Sequence, residues 1–109
     1  MKHKYKIVWS ETAHADLFEI IEYIAKDSPG SAKKTLEIIK DKASKLYLSP
    51  EQGRVVPELQ EQGITQYREL IINPWRLMYR TTDNTVFVLS VLDARQNVED
   101  ILLNRLTKC

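Results

Sequence analysis

The stretch Gln66–Leu92, QYRELIINPWRLMYRTTDNTVFVLSVL, decides the fold. It holds three runs rich in β-branched and aromatic residues: Gln66–Ile72, Trp75–Thr81 and Thr85–Leu92. Between them stand only Asn73-Pro74 and Asp83-Asn84, two pairs with strong turn chemistry. A parallel crossover needs a dozen or more residues, so strands this close in sequence pair antiparallel, as a meander. Alternation assigns the faces. Arg68, Leu70 and Ile72 share one side of the first strand, with Tyr67, Glu69 and Ile71 on the other. In the second strand Arg76, Met78 and Arg80 oppose Trp75, Leu77 and Tyr79.

Upstream, Lys4–Trp9 alternates Lys4, Lys6, Val8 against Tyr5, Ile7, Trp9, the pattern of an edge strand whose lysines discourage further pairing. Ser10 suits a helix N-cap, and Glu11 complements the positive end of the helix dipole. Ala13, Leu17, Ile20, Ile21 and Ile24 make an apolar stripe at helical spacing. Ser28-Pro29-Gly30-Ser31 breaks it, and Ala32, Leu36, Ile39, Ala43 and Leu46 make a second stripe that ends at Ser49-Pro50. Two stripes of matching length joined by a short loop predict an antiparallel helical hairpin, with Asp41 and Lys45 pairing on its outer side. Glu51–Gly63 has no clear period and reads as a structured loop, with a short strand around Val55 and Val56. Asn97 and Asp100 form a loose capping box for a last helix, whose apolar side is Val98, Ile101, Leu102 and Leu106. The order is strand, two helices, three strands, helix. It predicts one α+β domain over residues 1–109: a four-stranded sheet with the helical hairpin on one face. The pattern leaves open whether the last helix covers the other face.

Length and composition fit that reading. The chain has 109 residues, 43% hydrophobic and 28% charged, enough for a core without disulfides or metal. No apolar run approaches the roughly 20 residues of a membrane span. The basic start, Met1-Lys2-His3-Lys4, is not followed by an apolar signal-like stretch, and Cys109 is the only cysteine, so the expected compartment is a reducing cytoplasm. The net charge of +1 does not indicate a strongly basic nucleic-acid binder. Its distribution is uneven: residues 1–50 carry nine Lys and no Arg, and residues 51–109 carry six Arg and one Lys. Arginine's planar fork suits phosphate and carboxylate, which points to the second half for recognition.

Among candidate sites, there is no glycine-rich phosphate loop, no Cys/His metal spacing and no nucleophile elbow, so neither metal nor cofactor is expected. His3 and His14 read as surface residues, and Asp16 with Glu19 as a solvated helix face. The arginines carry the functional expectation. Arg54 lies in the loop, Arg68, Arg76 and Arg80 lie on strands and Arg95 follows the last strand. Two readings stand side by side. They form ion pairs with Glu58, Glu69 and Asp93, or their forks grip a target's phosphate or a partner's carboxylate. Trp9, Trp75, Tyr67 and Tyr79 are read as core residues first and as base-stacking surfaces second.

Several segments together resemble the RelE/ParE toxin superfamily of type II toxin–antitoxin systems. They are Trp9-Ser10 with Ala13, Asp16-Leu17, Ile20 and Tyr23-Ile24; Gly53-Arg54 with Val56-Pro57-Glu58-Leu59; Tyr67-Arg68-Glu69; Trp75-Arg76-Leu77-Met78-Tyr79-Arg80; and Val88–Val91 with Leu92-Asp93-Ala94-Arg95-Gln96-Asn97. The resemblance spans nearly the whole chain in order. It implies the fold derived above and a cognate antitoxin, bound across the helical hairpin and sheet edge in a toxin–antitoxin hetero-oligomer. RelE-like members are ribosome-dependent messenger-RNA endonucleases that use basic sheet residues and a C-terminal Tyr or His-Tyr pair. ParE-like, plasmid-stabilisation members inhibit DNA gyrase. Arg76 and Arg95 match two of the basic positions, with Arg54 as a third candidate if the chain is a nuclease. Val98–Cys109 contains neither Tyr nor His. Guanidinium groups alone are poor proton-transfer catalysts, so this departure favours a ParE-like toxin acting by occlusion. A RelE-like endonuclease and a non-toxic member that only forms complexes are the alternatives.

Overall fold

The computed structural model describes residues 4–107; His3, Lys108 and Cys109 lie outside the described residues. Strand β1 (Lys6–Trp9) leads into helix α1 (Glu11–Asp27). Ser10 caps that helix, its hydroxyl accepting from the Ala13 amide at 3.0 Å. Helix α2 (Pro29–Ser44) starts one residue after Ser28. Ser28 therefore ends one helix, its N–H donating to the Ile24 carbonyl, and begins the next, its hydroxyl accepting from Ser31. The Ser-Pro-Gly-Ser segment breaks the chain's direction but contributes three residues to α2, because Pro29 at the first helical position has no N–H to satisfy there. Asp41 and Lys45 pair at 3.4 Å, as expected.

The sheet has five strands in the order β1-β5-β4-β3-β2. The meander is β3 (Tyr67–Ile72), β4 (Trp75–Thr82) and β5 (Thr85–Asp93), antiparallel throughout. β1 lies parallel to β5, which the intervening helical hairpin makes sterically accessible. The short strand expected around Val55 and Val56 forms as β2 (Arg54–Val55) and joins the four-stranded sheet as a fifth strand, at the far edge against β3. Helix α3 (Pro57–Gln60) follows at once. The sequence reading passed over this helix, whose only local signals are Pro57 at its first position and Glu58 in its first turn.

Two cores lie on opposite faces of the sheet. Ala13, Leu17, Ile39, Ala43 and Leu46 from the hairpin pack on Leu77, Tyr79, Val86, Val88 and Val91. On the second face α3 and α4 (Val98–Thr107) bring Leu59, Val98 and Leu102 against Met78 and Leu92. The question of that face is thereby settled: the terminal helix covers part of it. Simple alternation would group Val86, Val88, Ser90 and Leu92. A bulge intervenes, since Met78 pairs with Ser90 while Tyr79 pairs with Val88. The extra residue, Leu89, turns Ser90 and Leu92 to the second face and Val91 to the first.

Candidate functional site

Strand alternation brings Arg54, Glu69 and Arg76 to the second face, and α3 lowers Glu58 onto them. The Arg76 Nε donates to Glu69 at 2.6 Å, Nη1 to Glu58 at 2.7 Å, and Nη2 to Glu58 at 2.6 Å and Glu69 at 3.0 Å. Four of the five N–H groups of that guanidinium are thus engaged. Arg54 Nε donates to the second Glu69 oxygen at 2.6 Å. The Glu69 side chain is fully buried and that of Arg76 is 9% exposed, whereas that of Arg54 is 58% exposed. The Arg76 fork holds the Glu58 carboxyl below its usual range, and Glu58 in turn raises Arg76 further above the usual arginine value. Two guanidinium and two carboxylate groups make a neutral lattice, which is how buried charges become tolerable. Arg76 faces these carboxylates, and an exposed phosphate-facing geometry is not found for it.

A second cluster fastens β2. Tyr79 donates its hydroxyl to the Pro50 carbonyl at 2.7 Å and accepts from the Gly53 amide at 3.0 Å. Arg68 Nη1 donates to the Gly53 carbonyl at 2.7 Å. A Cβ on Gly53 would lie 2.5 Å from the Glu69 carbonyl oxygen and 2.6 Å from the Tyr79 hydroxyl, so only glycine lets the chain pass this close. Burial pushes the Tyr79 hydroxyl above its ordinary pKa. Tyr79 is therefore a core residue, as the first of the two aromatic readings held.

At the other end of the sheet, β1 stops at Trp9 while β5 runs on, leaving a half-edge that α1 closes with side chains. Asp16 accepts from the Val91 amide at 2.9 Å and forms a bidentate pair with Arg105 of α4 at 2.8 and 3.0 Å. The expected solvated face fails for Asp16, whose side chain is 11% exposed, and holds for Glu19. Helical spacing gave no sign of this, because the partner lies 89 residues away. Arg95 pairs with Asp93 through Nε at 2.9 Å and Nη2 at 2.6 Å, and this holds the Asp93 carboxyl down at about 2. The Arg95 side chain is 80% exposed. It lines a groove of about 640 Å³ with Tyr23, Glu19, Ile20, Trp75 and Ile101. Tyr23, itself 73% exposed, belongs to the segments that carry the family resemblance but was not a candidate site residue, since its position on the rim of the apolar stripe carries no signal for binding. Arg80 behaves differently. Its guanidinium lies 4.8 Å over the Phe87 ring and donates to the Thr82 hydroxyl. No group of three or more potential metal ligands occurs among the described residues.

The five arginines thus do not converge. Arg54 and Arg76 share the lattice, Arg68 serves β2, Arg80 lies on the open sheet and Arg95 stands at the far groove. A two-faced α+β sheet of this kind, with a helical hairpin on one side and a terminal helix on the other, is the fold of small toxins solved within toxin–antitoxin systems. The chromosomal ParDE system of P. aeruginosa contains a chain that superposes with a TM-score of 0.66, at 22% identity over 84% of this chain and 97% of that one. The RelBE2 toxin–antitoxin complex of Mycobacterium tuberculosis contains another, with a TM-score of 0.56 at 20% identity over 84% and 92%. At these identities the likeness is one of fold. Residues 7–98 match the family described as ParE toxin of type II toxin–antitoxin system, parDE, and the chain belongs to that family. No curated protein matches the sequence significantly.

Proposed function

We propose that this family member is a ParE-like, plasmid-stabilisation toxin of the cytoplasm that blocks DNA gyrase by binding and is neutralised by a cognate antitoxin. The observation that carries the reading is the state of Arg76. A nuclease built on this sheet needs a cation facing the scissile phosphate and a proton donor beside it. Arg76 is turned onto Glu58 and Glu69 instead, and its cross-strand neighbours are Ile71 and Leu92. Tyr67, on the same face, pairs with Arg80 four residues further along the sheet, about 13 Å away at strand spacing. Helix α4 brings neither Tyr nor His. What remains for a target is a docking surface, with exposed Arg95 and Tyr23 on one groove and Arg54 beside the lattice. No helix among the described residues is long and apolar enough to cross a membrane.

The test is a supercoiling assay with purified toxin and gyrase, repeated with antitoxin added. Inhibition at micromolar toxin, relieved by stoichiometric antitoxin, is the expected result. Untouched supercoiling, together with codon-specific messenger-RNA cuts in a translation reaction, would replace this reading with the endonuclease.

A further inference from the structure

One row of side chains crosses four strands of the second sheet face. Register places Tyr67 of β3 beside Arg80 of β4, Arg80 beside Phe87 of β5, and Phe87 beside Val8 of β1. All four are half-buried; Tyr67 packs against the margin of the α3–α4 core, and Arg80, Phe87 and Val8 lie outside that cluster. Tyr67 and Arg80 also form one wall of a hollow of about 240 Å³, lined by Leu59, Met78, Leu102 and Leu106. Pockets for drug-sized ligands occupy about 300–1,000 Å³, so this hollow suits side chains.

Arg80 defines what fits. Arg54, Arg76, Arg95 and Arg105 each have a carboxylate partner. Among the described residues Arg68 and Arg80 have none, and Arg68 is committed to the Gly53 carbonyl. The Arg80 guanidinium lies over the Phe87 ring and donates to the Thr82 hydroxyl, so its cation is held in place without a carboxylate partner among the described residues. Lys6, exposed on the same face next to Val8, adds to the positive field. A stacked nucleobase fits poorly, because the guanidinium already covers the Phe87 ring.

We infer that this row and hollow receive an acidic, amphipathic segment of the antitoxin, with a large apolar side chain in the hollow and an Asp or Glu on Arg80. The inference rests on the toxin–antitoxin reading above and adds where and by what chemistry the partner binds, placing this segment on the face opposite the helical hairpin across which the resemblance implied contact. A carboxylate there would meet a preordered, partly desolvated fork, the situation in which ion pairs contribute to affinity.

The experiment titrates the protein encoded by the adjoining reading frame into the full-length toxin by calorimetry, with folding of each variant checked by circular dichroism. Arg80→Glu is expected to weaken binding by about thirtyfold or more. Arg80→Lys, which keeps charge but loses the guanidinium fork over the Phe87 ring, falls between it and the parent. Thr12→Trp, an exposed residue on the rim of the hollow, is expected to cost about tenfold by obstructing entry. Lys33→Glu, an exposed residue on α2 behind the other face of the sheet, should change affinity less than threefold, within the range of a near-neutral contact. If the parent toxin does not bind the neighbouring protein at all, the toxin–antitoxin reading itself fails. If the parent binds while Arg80→Glu and Thr12→Trp bind equally well, only the present inference is overturned. Two controls replace it with another occupant: Arg80-dependent binding of a labelled single-stranded oligonucleotide, or an Arg80-dependent dimer in light scattering.

Discussion

Replacing Arg76 by Leu tests whether the lattice under α3 is structural. The substitution leaves Glu69, whose side chain is fully buried, with the single Arg54 bond at 2.6 Å. Glu58, 30% exposed, can turn to water. Removing one partner of a buried pair costs about 3–5 kcal/mol, chiefly because the remaining charge is stranded. Near the midpoint the unfolding entropy is about 2.1 cal/mol/K per residue, so for a chain of this length Tm should fall by about 13–22 °C. Converting Glu69 to Leu in the same chain removes the stranded charge, so the double variant should recover at least half of that loss. Urea or thermal denaturation of the parent, both single variants and the double variant gives the coupling directly. A drop below about 4 °C for Arg76→Leu, or simple additivity in the cycle, would refute the reasoning. If the variant stays fully stable but lacks the gyrase inhibition proposed for the parent, Arg76 belongs to target recognition and not to the lattice.

Other perturbations have equally defined outcomes. Gly53→Ala forces a Cβ within 2.6 Å of a backbone carbonyl and the Tyr79 hydroxyl, and should cost about 2 kcal/mol in denaturant unfolding while detaching β2. Asp16→Ala removes charge-assisted bonds to Arg105 and the Val91 amide, and should cost about 2 kcal/mol, against less than about 0.5 kcal/mol for the exposed Glu19→Ala. Acid should destabilise the fold with a fixed sign. Asp93 is held near 2 by Arg95, and Glu58 is lowered by Arg76. Depressed carboxyl pKa values give stability that is complete above the unfolded carboxylate range of about 4 and is lost as pH falls toward 2. Asp93→Asn should flatten the dependence of Tm on pH in that window by lowering Tm at neutral pH while leaving it nearly unchanged near pH 2.

The meander, the helical hairpin and the terminal helix were legible because each is encoded locally: by period-two runs, by apolar stripes at helical spacing, and by turn or cap residues at their ends. Even the faces of Arg68, Arg76 and Arg80 followed from alternation. Three features were not legible. Helix α3 is one turn long, too short for a period to show. The bulge at Leu89 changes the face of Ser90 and Leu92 without any residue that demands it. The pairing of Arg76 with Glu58 and Glu69 was one of two readings that the sequence could not separate.

By itself, the sequence determined which elements form, their order, the direction of the meander and the arginine-rich character of the second half. Tertiary structure decided what those arginines do. A guanidinium is defined by what lies within about 3 Å of it, and those neighbours come from elements far apart in the chain. Folding set Glu58 and Glu69 against Arg76, Asp93 against Arg95 and Asp16 against Arg105, and left Arg80 over the Phe87 ring with no carboxylate partner among the described residues.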